Sequence, residues 1–227
     1  MQHLTIIIPT KNRLEKLYRC LNSIPREPWI TVMVACDGNP DASEALEVSR
    51  ISPRCDMVVW CRQDMGVVAR GNLVIPMVQD GLMGLADDVE FLPGTLEKAR
   101  EIFNREFPDD DGVLGWHQEG LPGYCPTAIC MIGQKFLCRY PGKQPMFPGY
   151  YHFCSDTEIY HLANKLGKFR FAGKDIAVFH HQGGYEGRPF DQTHHDSRVK
   201  QRDDAALYEQ RQKAGLIWGF KNGDSED

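Results

Sequence analysis

The 227 residues are enough for one large domain with a sizeable buried core. Hydrophobic residues at 42% and charged residues at 25% exclude a disordered or fibrous chain. Lys and Arg number 26 against 31 Asp and Glu, and the formal net charge of −5 gives no global attraction to polyanions. No apolar run approaches the ~20 residues that span a bilayer. The segment LTIII is too short for a signal-peptide core and meets Pro9 at once. Eight cysteines are scattered without a C-x-x-C pair, so zinc-ribbon and thioredoxin-type readings have no support. Reduced, mostly buried thiols in a cytoplasmic protein are the expectation, with Cys36 and Cys61 closing strand-like runs.

In chain order, two periodicities alternate through the first half. Leu4 to Ile8 is a continuous run of the kind buried on both faces of a sheet. Asn12 is a candidate cap for a helix bearing Leu14, Leu17, Leu21 and Ile24 on one side. Ile30 to Ala35 is a second strand, ended by Asp37-Gly38, and Asp41 or Ser43 can open a short helix. Met57 to Cys61, helical spacing over 66–78, a strand at 81–85 and a helix at 93–107 follow. Strands alternating with helices imply a mostly parallel, Rossmann-like α/β sheet flanked by helices.

The second half is less regular. Segments 112–116 and 128–133 read as strands, 155–166 as a helix and 174–181 as a strand. A Gly-rich loop at 182–189 precedes a charged helix at 196–214 and a polar tail. Without a repeat or a linker, residues 1–227 read as one domain. Its halves are 1–92 and 93–195, with 196–227 as a terminal helix and tail.

In an open α/β sheet, ligands bind outside the carboxyl ends of the strands. The first strand ends in Pro9-Thr10-Lys11-Asn12-Arg13, the second in Asp37-Gly38, the fourth in Asp87-Asp88, and a late strand in His180-His181. Arg70 lies in the intervening helix. Two acidic strand ends and an imidazole can hold a divalent metal through oxygen and nitrogen. Such a metal would face a nucleotide pyrophosphate. The glycine fingerprint of dinucleotide enzymes and the Walker loop are both absent. Adjacent residues on a strand point to opposite faces, so at most one histidine of the 180–181 pair easily reaches the metal; His180 is preferred and His181 held in reserve. The pair His194-His195 lies in a polar stretch and reads as solvated. Trp116 is either a sugar-stacking wall or an ordinary core residue.

These segments, in this order, resemble the family 2-like glycosyltransferases of the GT-A fold. Ile6 to Arg13 resembles that family's opening strand and nucleotide-contacting turn, and Asp37-Gly38 its second strand end. Gly66-Val67-Val68-Ala69-Arg70-Gly71-Asn72 is similar to its G-x-x-x-A-R-N segment, and Leu85 to Val89 stands in place of D-x-D. Ser155-Asp156 falls where the family has Glu-Asp, and His180 where some members carry a metal-binding histidine. Ala86 replaces the first carboxylate of D-x-D and Ser155 the Glu of Glu-Asp.

The resemblance implies a metal-dependent, inverting hexosyltransferase using a nucleotide-sugar, with UDP as the nucleotide. Donor contacts would come from Pro9, Thr10, Arg13, Asp37, Arg70 and Asp87. Asp88 and His180 would hold Mn2+ or Mg2+, and Asp156 would be the base. Glu158, two positions on, is the competing carboxylate, and a helix N-terminus is expected to lower the pKa of either. The loop 182–189 is a candidate lid. The acceptor is open: glycan, lipid-linked sugar, protein or modified nucleic acid. Two rivals share these features, a nucleotidyltransferase and a catalytically silent nucleotide-sugar-binding module. The first should carry a basic Gly-rich loop after its opening strand, and the second would tolerate loss of Asp156.

Overall fold

With only β-branched and aliphatic side chains at 4–8, the first strand has no face to offer water and needs cover on both sides. A computed structural model describes residues 1–36, 54–61, 63–78, 80–121, 123–174, 176–183 and 187–220, and supplies that cover. Strand β1 (Leu4–Thr10) sits between β2 (Ile30–Cys36) and β4 (Gly81–Gly84), parallel to both. With β3 (Met57–Trp60), β6 (Val113–Gly115), β8 (Cys130–Ile132) and β9 (Phe169–Phe171), they form a seven-stranded sheet ordered β3-β2-β1-β4-β8-β6-β9. Only β8 runs against its neighbours.

The strand period of two sorts β1 between two cores. Leu4, Ile6 and Ile8 pack with Leu17 and Leu21 of helix α1 (Leu14–Ser23) and with Leu96 and Phe103 of α3 (Thr95–Glu106). Ile7 packs on the other side with Val74 of α2 (Gly66–Val74) and Leu162 of α5 (Ser155–Lys165). A short helix α4 (Gln134–Leu137) completes that layer with Phe136 and Leu137.

Pro9 is tolerated inside this sheet for a specific reason. The Ile7 carbonyl bonds Leu85 on the β4 side, so two residues on Pro9 also turns its nitrogen that way. The β1–β4 pairing ends at Ile7 and Gly84, so no ladder bond is lost at the proline.

A second, three-stranded sheet was not visible in the sequence. It joins β5 (Val89–Phe91), β10 (Ala177–His180) and β7 (His117–Glu119) in the order β5-β10-β7. Its register sets His180 opposite Val89, next to the carboxylates that end β4. A long helix α6 (Gln192–Lys213) follows.

Several expectations are corrected. Asn12 does not cap α1: it takes a left-handed φ of 54°, and the helix begins at Leu14 with no side-chain cap. The helical stretch 66–78 divides at Pro76, where a 3₁₀ turn (Ile75–Met77) takes over. The last helix begins at Gln192 rather than 196, because Asp191 caps it by accepting from the His194 amide. Trp116 is fully buried in the main core, which removes the sugar-stacking reading.

Candidate active site

The carboxyl ends of β1 and β4 meet at Asp87 and Asp88, each 3% exposed. The Thr10 hydroxyl donates to Asp87 Oδ2 at 2.7 Å, and Arg13 Nη1 donates to Asp87 Oδ1 at 3.0 Å. The same Nη1 lies 3.6 Å from Asp88 Oδ2. On its other side Asp88 Oδ1 is 3.2 Å from His180 Nε2. Burial and the neighbouring Asp88 push the Asp87 carboxyl up to about 6, against the pull of Arg13. Burial acts on Asp88 too, but the His180 imidazole, Arg13 and Lys16 outweigh it and hold that carboxyl below the usual range.

The segment 66–72 fastens this centre to the opposite wall. Arg70, 4% exposed, donates through Nη1 to the Thr10 carbonyl at 2.6 Å. Asn72 donates to the Met146 carbonyl at 2.8 Å, and the Val68 amide to that of Tyr151 at 3.3 Å. Gly66 has a φ of +77°, and a Cβ there would meet the Tyr151 carbonyl oxygen at 2.5 Å. Glycine is what lets the two segments touch.

Helix α6 closes the third side, and here the solvated reading of His194 fails. His194 is 8% exposed, its Nε2 3.8 Å from Asp88 Oδ2 and its Nδ1 2.8 Å from Asp191. Burial, then Arg13, lowers its pKa, against the pull of Asp191 and Asp88. Asp191 accepts from Arg13 Nη2 at 2.9 Å and from Lys16 at 2.7 Å. Lys11 reaches Asp64 at 2.7 Å and Asp196 at 3.3 Å, tying the β1 turn to α6 again. The only sequence signal for His194 was the cap Asp191 three residues earlier, which marks where the helix carrying it begins.

Asp156 lies in the first turn of α5, half-buried, and accepts from the Thr157 amide at 2.9 Å. Burial raises its pKa more than these amides lower it, reversing the expectation for a helix N-terminus. Glu158 is the carboxylate that is fully engaged: 1% exposed, it accepts from Tyr150, Arg211 and the Trp218 amide. The loop before α5 is fixed from α6, because Asp204 accepts from the amides of Tyr151, His152 and Phe153 at 2.8–2.9 Å. Burial, with Arg70 next, lowers the His152 pKa to about 4.

Thr10, Arg13, Arg70, Asp87, Asp88 and His180 therefore form one contact chain. Pro9 is half-buried beside it on β1. Asp156 stands apart, with Thr157 and Thr127 as its hydrogen-bond partners. His181 turns to Glu90 at 2.8 Å, as neighbours on a strand must diverge. Asp37, and the helix expected at Asp41 or Ser43, lie outside the described residues, as does part of the candidate lid. A pocket of about 540 Å³ between α1 and β5, lined by Tyr18, Arg19 and Glu97, includes none of these side chains.

Among the described residues no group of three His, Cys, Asp or Glu side chains is gathered around a cation position. The donor chemistry at Asp88 nevertheless suits one. Asp87, Asp88 and Asp191 face the cations of Arg13 and Lys16, and Asp88 has an imidazole nitrogen beside it. One carboxylate and one imidazole leave positions for diphosphate oxygens and water. No described helix is long and apolar enough to cross a membrane.

No protein-family model matches the chain, and no curated protein matches it by sequence. Solved structures do. A mannosyltransferase from Pyrobaculum calidifontis, in complex with GDP-Man and Mn2+, aligns with TM-score 0.63 at 13% identity over 89% of this chain and 61% of its own. S. aureus TarS aligns with TM-score 0.59 at 13% identity, over 78% of this chain and 36% of its own. TarS 1–349 in complex with UDP-GlcNAc gives 0.56 at 14%, over 83% and 62%. The chain thus spans less than two thirds of each of these proteins. Identities this low establish architecture alone, and that architecture is a GT-A-like glycosyltransferase fold.

Proposed function

We propose that the chain is a metal-dependent, inverting hexosyltransferase that moves a sugar from a UDP-sugar to an acceptor hydroxyl. The observation that carries this reading is the buried Asp87–Asp88 pair at the end of β4, engaged by Thr10 and Arg13 from β1 and faced by His180. The structural neighbours holding UDP-GlcNAc or GDP-Man with Mn2+ support it. Asp88 and His180 would hold Mn2+ or Mg2+, which when bound neutralises charge on the departing diphosphate.

Thr10 and Arg13 hold Asp87 where it meets the ribose hydroxyls, and Asp37 meets the nucleobase. Arg70 braces the turn through the Thr10 carbonyl. Pro9 sets the exit of β1 into that turn. The acceptor oxygen attacks the anomeric carbon while the bond to the diphosphate breaks and its electron pair leaves with UDP. Asp156 takes the acceptor's proton, and burial suits it to that task by raising its pKa. The second half of the chain, in the same domain, shapes the acceptor pocket. An array of donors and acceptors, read by nucleotide release, tests the reading. Acceptor-dependent release of UDP is expected, and no release from any nucleotide-sugar would refute it.

A further inference from the structure

Gln118, 1% exposed on β7, lies in register with Val178 of β10 and lends its side chain to His180. Its Oε1 is 2.9 Å from His180 Nδ1, while its Nε2 is 3.4 Å from the Cys125 carbonyl oxygen. Exchanging the amide's oxygen and nitrogen would set two acceptors against each other at Cys125. The Cys125 contact therefore fixes Oε1 as the atom that faces the imidazole. A carbonyl oxygen only accepts, so Nδ1 carries the ring proton. In the neutral ring the lone pair is then on Nε2, the atom 3.2 Å from Asp88 Oδ1. A proton on Nε2 can join this atom to Asp88, and a divalent cation that displaces the proton takes the Nε2 lone pair together with Asp88 Oδ1.

We propose that Gln118 is a positioning residue that fixes the His180 tautomer and so presents Nε2 and Asp88 together to a divalent cation. The inference rests on the metal reading above and adds to it the group that makes His180 a ligand. Gln118 needs no contact with metal or substrate. Its strand pairing orients the amide, and the amide orients the ring. Partners of this kind, one bond removed from the metal, typically change its affinity 10- to 100-fold.

The test uses the full chain with ¹⁵N-labelled histidine. Long-range ¹H–¹⁵N spectra at pH 8 are recorded for the native protein, Gln118→Met and Gln118→Glu, and the His180 signal is assigned by its loss in His180→Gln. Mn2+ titration followed by electron paramagnetic resonance runs alongside. The native ring should carry its proton on Nδ1. Gln118→Met, of similar length but without the acceptor, should move the proton to Nε2 and weaken Mn2+ binding at least tenfold. Gln118→Glu gives up the donor to Cys125 but restores an acceptor toward Nδ1, and should recover the tautomer and most of the affinity. A native proton on Nε2 with intact Mn2+ binding overturns the role of Gln118 alone. A native proton on Nδ1 with no Mn2+ bound by any of the proteins overturns the metal reading, and with it the purpose assigned to Gln118.

Discussion

Arg211 holds Glu158 through two nitrogens, Nε to Oε1 at 2.6 Å and Nη2 to Oε2 at 3.0 Å. Tyr150 adds a donor to Oε1 and the Trp218 amide one to Oε2, so both oxygens are taken. This separates the two acidic residues of the first turn of α5. Glu158 anchors the segment around Trp218, and Asp156 is the carboxylate that the proposed mechanism uses as base. Glu158→Gln strands the half-buried Arg211 charge and should destabilise the fold by about 3 kcal/mol. Thermal melting measures the loss. Turnover per folded molecule at low temperature should stay near native, and a dead but stable variant would make Glu158 the base.

Asp156→Asn keeps the shape and removes the proton acceptor. Turnover should fall on the order of a hundredfold or more while UDP-sugar affinity is unchanged. Because the base works deprotonated, activity is present above its pKa and lost below it. Burial lifts that pKa, so the acid limb of kcat/KM should lie above the ordinary carboxylate value near 3.9. A limb of unchanged position in the Asn variant would mean that another group titrates.

Asp191 links α6 to the β1 turn. Burial tends to raise its pKa, but hydrogen bonds from Arg13 and Lys16 dominate together and lower it. A lowered folded-state pKa stabilises the fold above the unfolded value near 3.9, and that contribution is lost as pH falls. The side chain is one-third exposed, which limits the effect to about 1 kcal/mol after solvent screening. Asp191→Asn retains a helix cap and drops the ionic contacts. Its melting-temperature deficit should be present at pH 7 and shrink at pH 3 and in high salt. A deficit independent of both would assign the role to the cap.

Asp204 is 3% exposed and gathers the amides of Tyr151, His152 and Phe153. Asp204→Ala leaves three backbone donors without their partner and should cost about 3 kcal/mol. Hydrogen exchange should show these three amides exchanging much faster than in the native chain. Unchanged protection there would mean that the loop holds itself.

The main sheet was legible because its strands are buried on both faces and announce themselves as apolar runs, as at Leu4–Ile8. Asp88 and His180 were legible as groups at strand ends. The small sheet was not, because β5, β7 and β10 have three or four residues each and pair across up to about ninety residues of chain. Short segments carry no period, and their partners lie too far off for local reading. His194 was missed for a related reason. Its surroundings in sequence are polar, and only the fold shows that Asp191, Arg13 and Asp88 are what those polar groups face. Gln118 was hidden similarly, since a buried amide reads as solvated until its partners are known, whereas Glu158 was visible as a competing carboxylate and only its partners Tyr150, Arg211 and Trp218 were not.

The proposed transfer depends on Asp88 and His180 joining a divalent cation to a nucleoside diphosphate. Calorimetric titration of UDP, with and without Mn2+, into the native chain, Asp88→Ala and His180→Ala tests it most directly. The native chain should bind UDP at least tenfold more tightly with Mn2+, and both variants should lose that enhancement while staying folded. Equal enhancement in all three, or no UDP binding by the native chain, would contradict it.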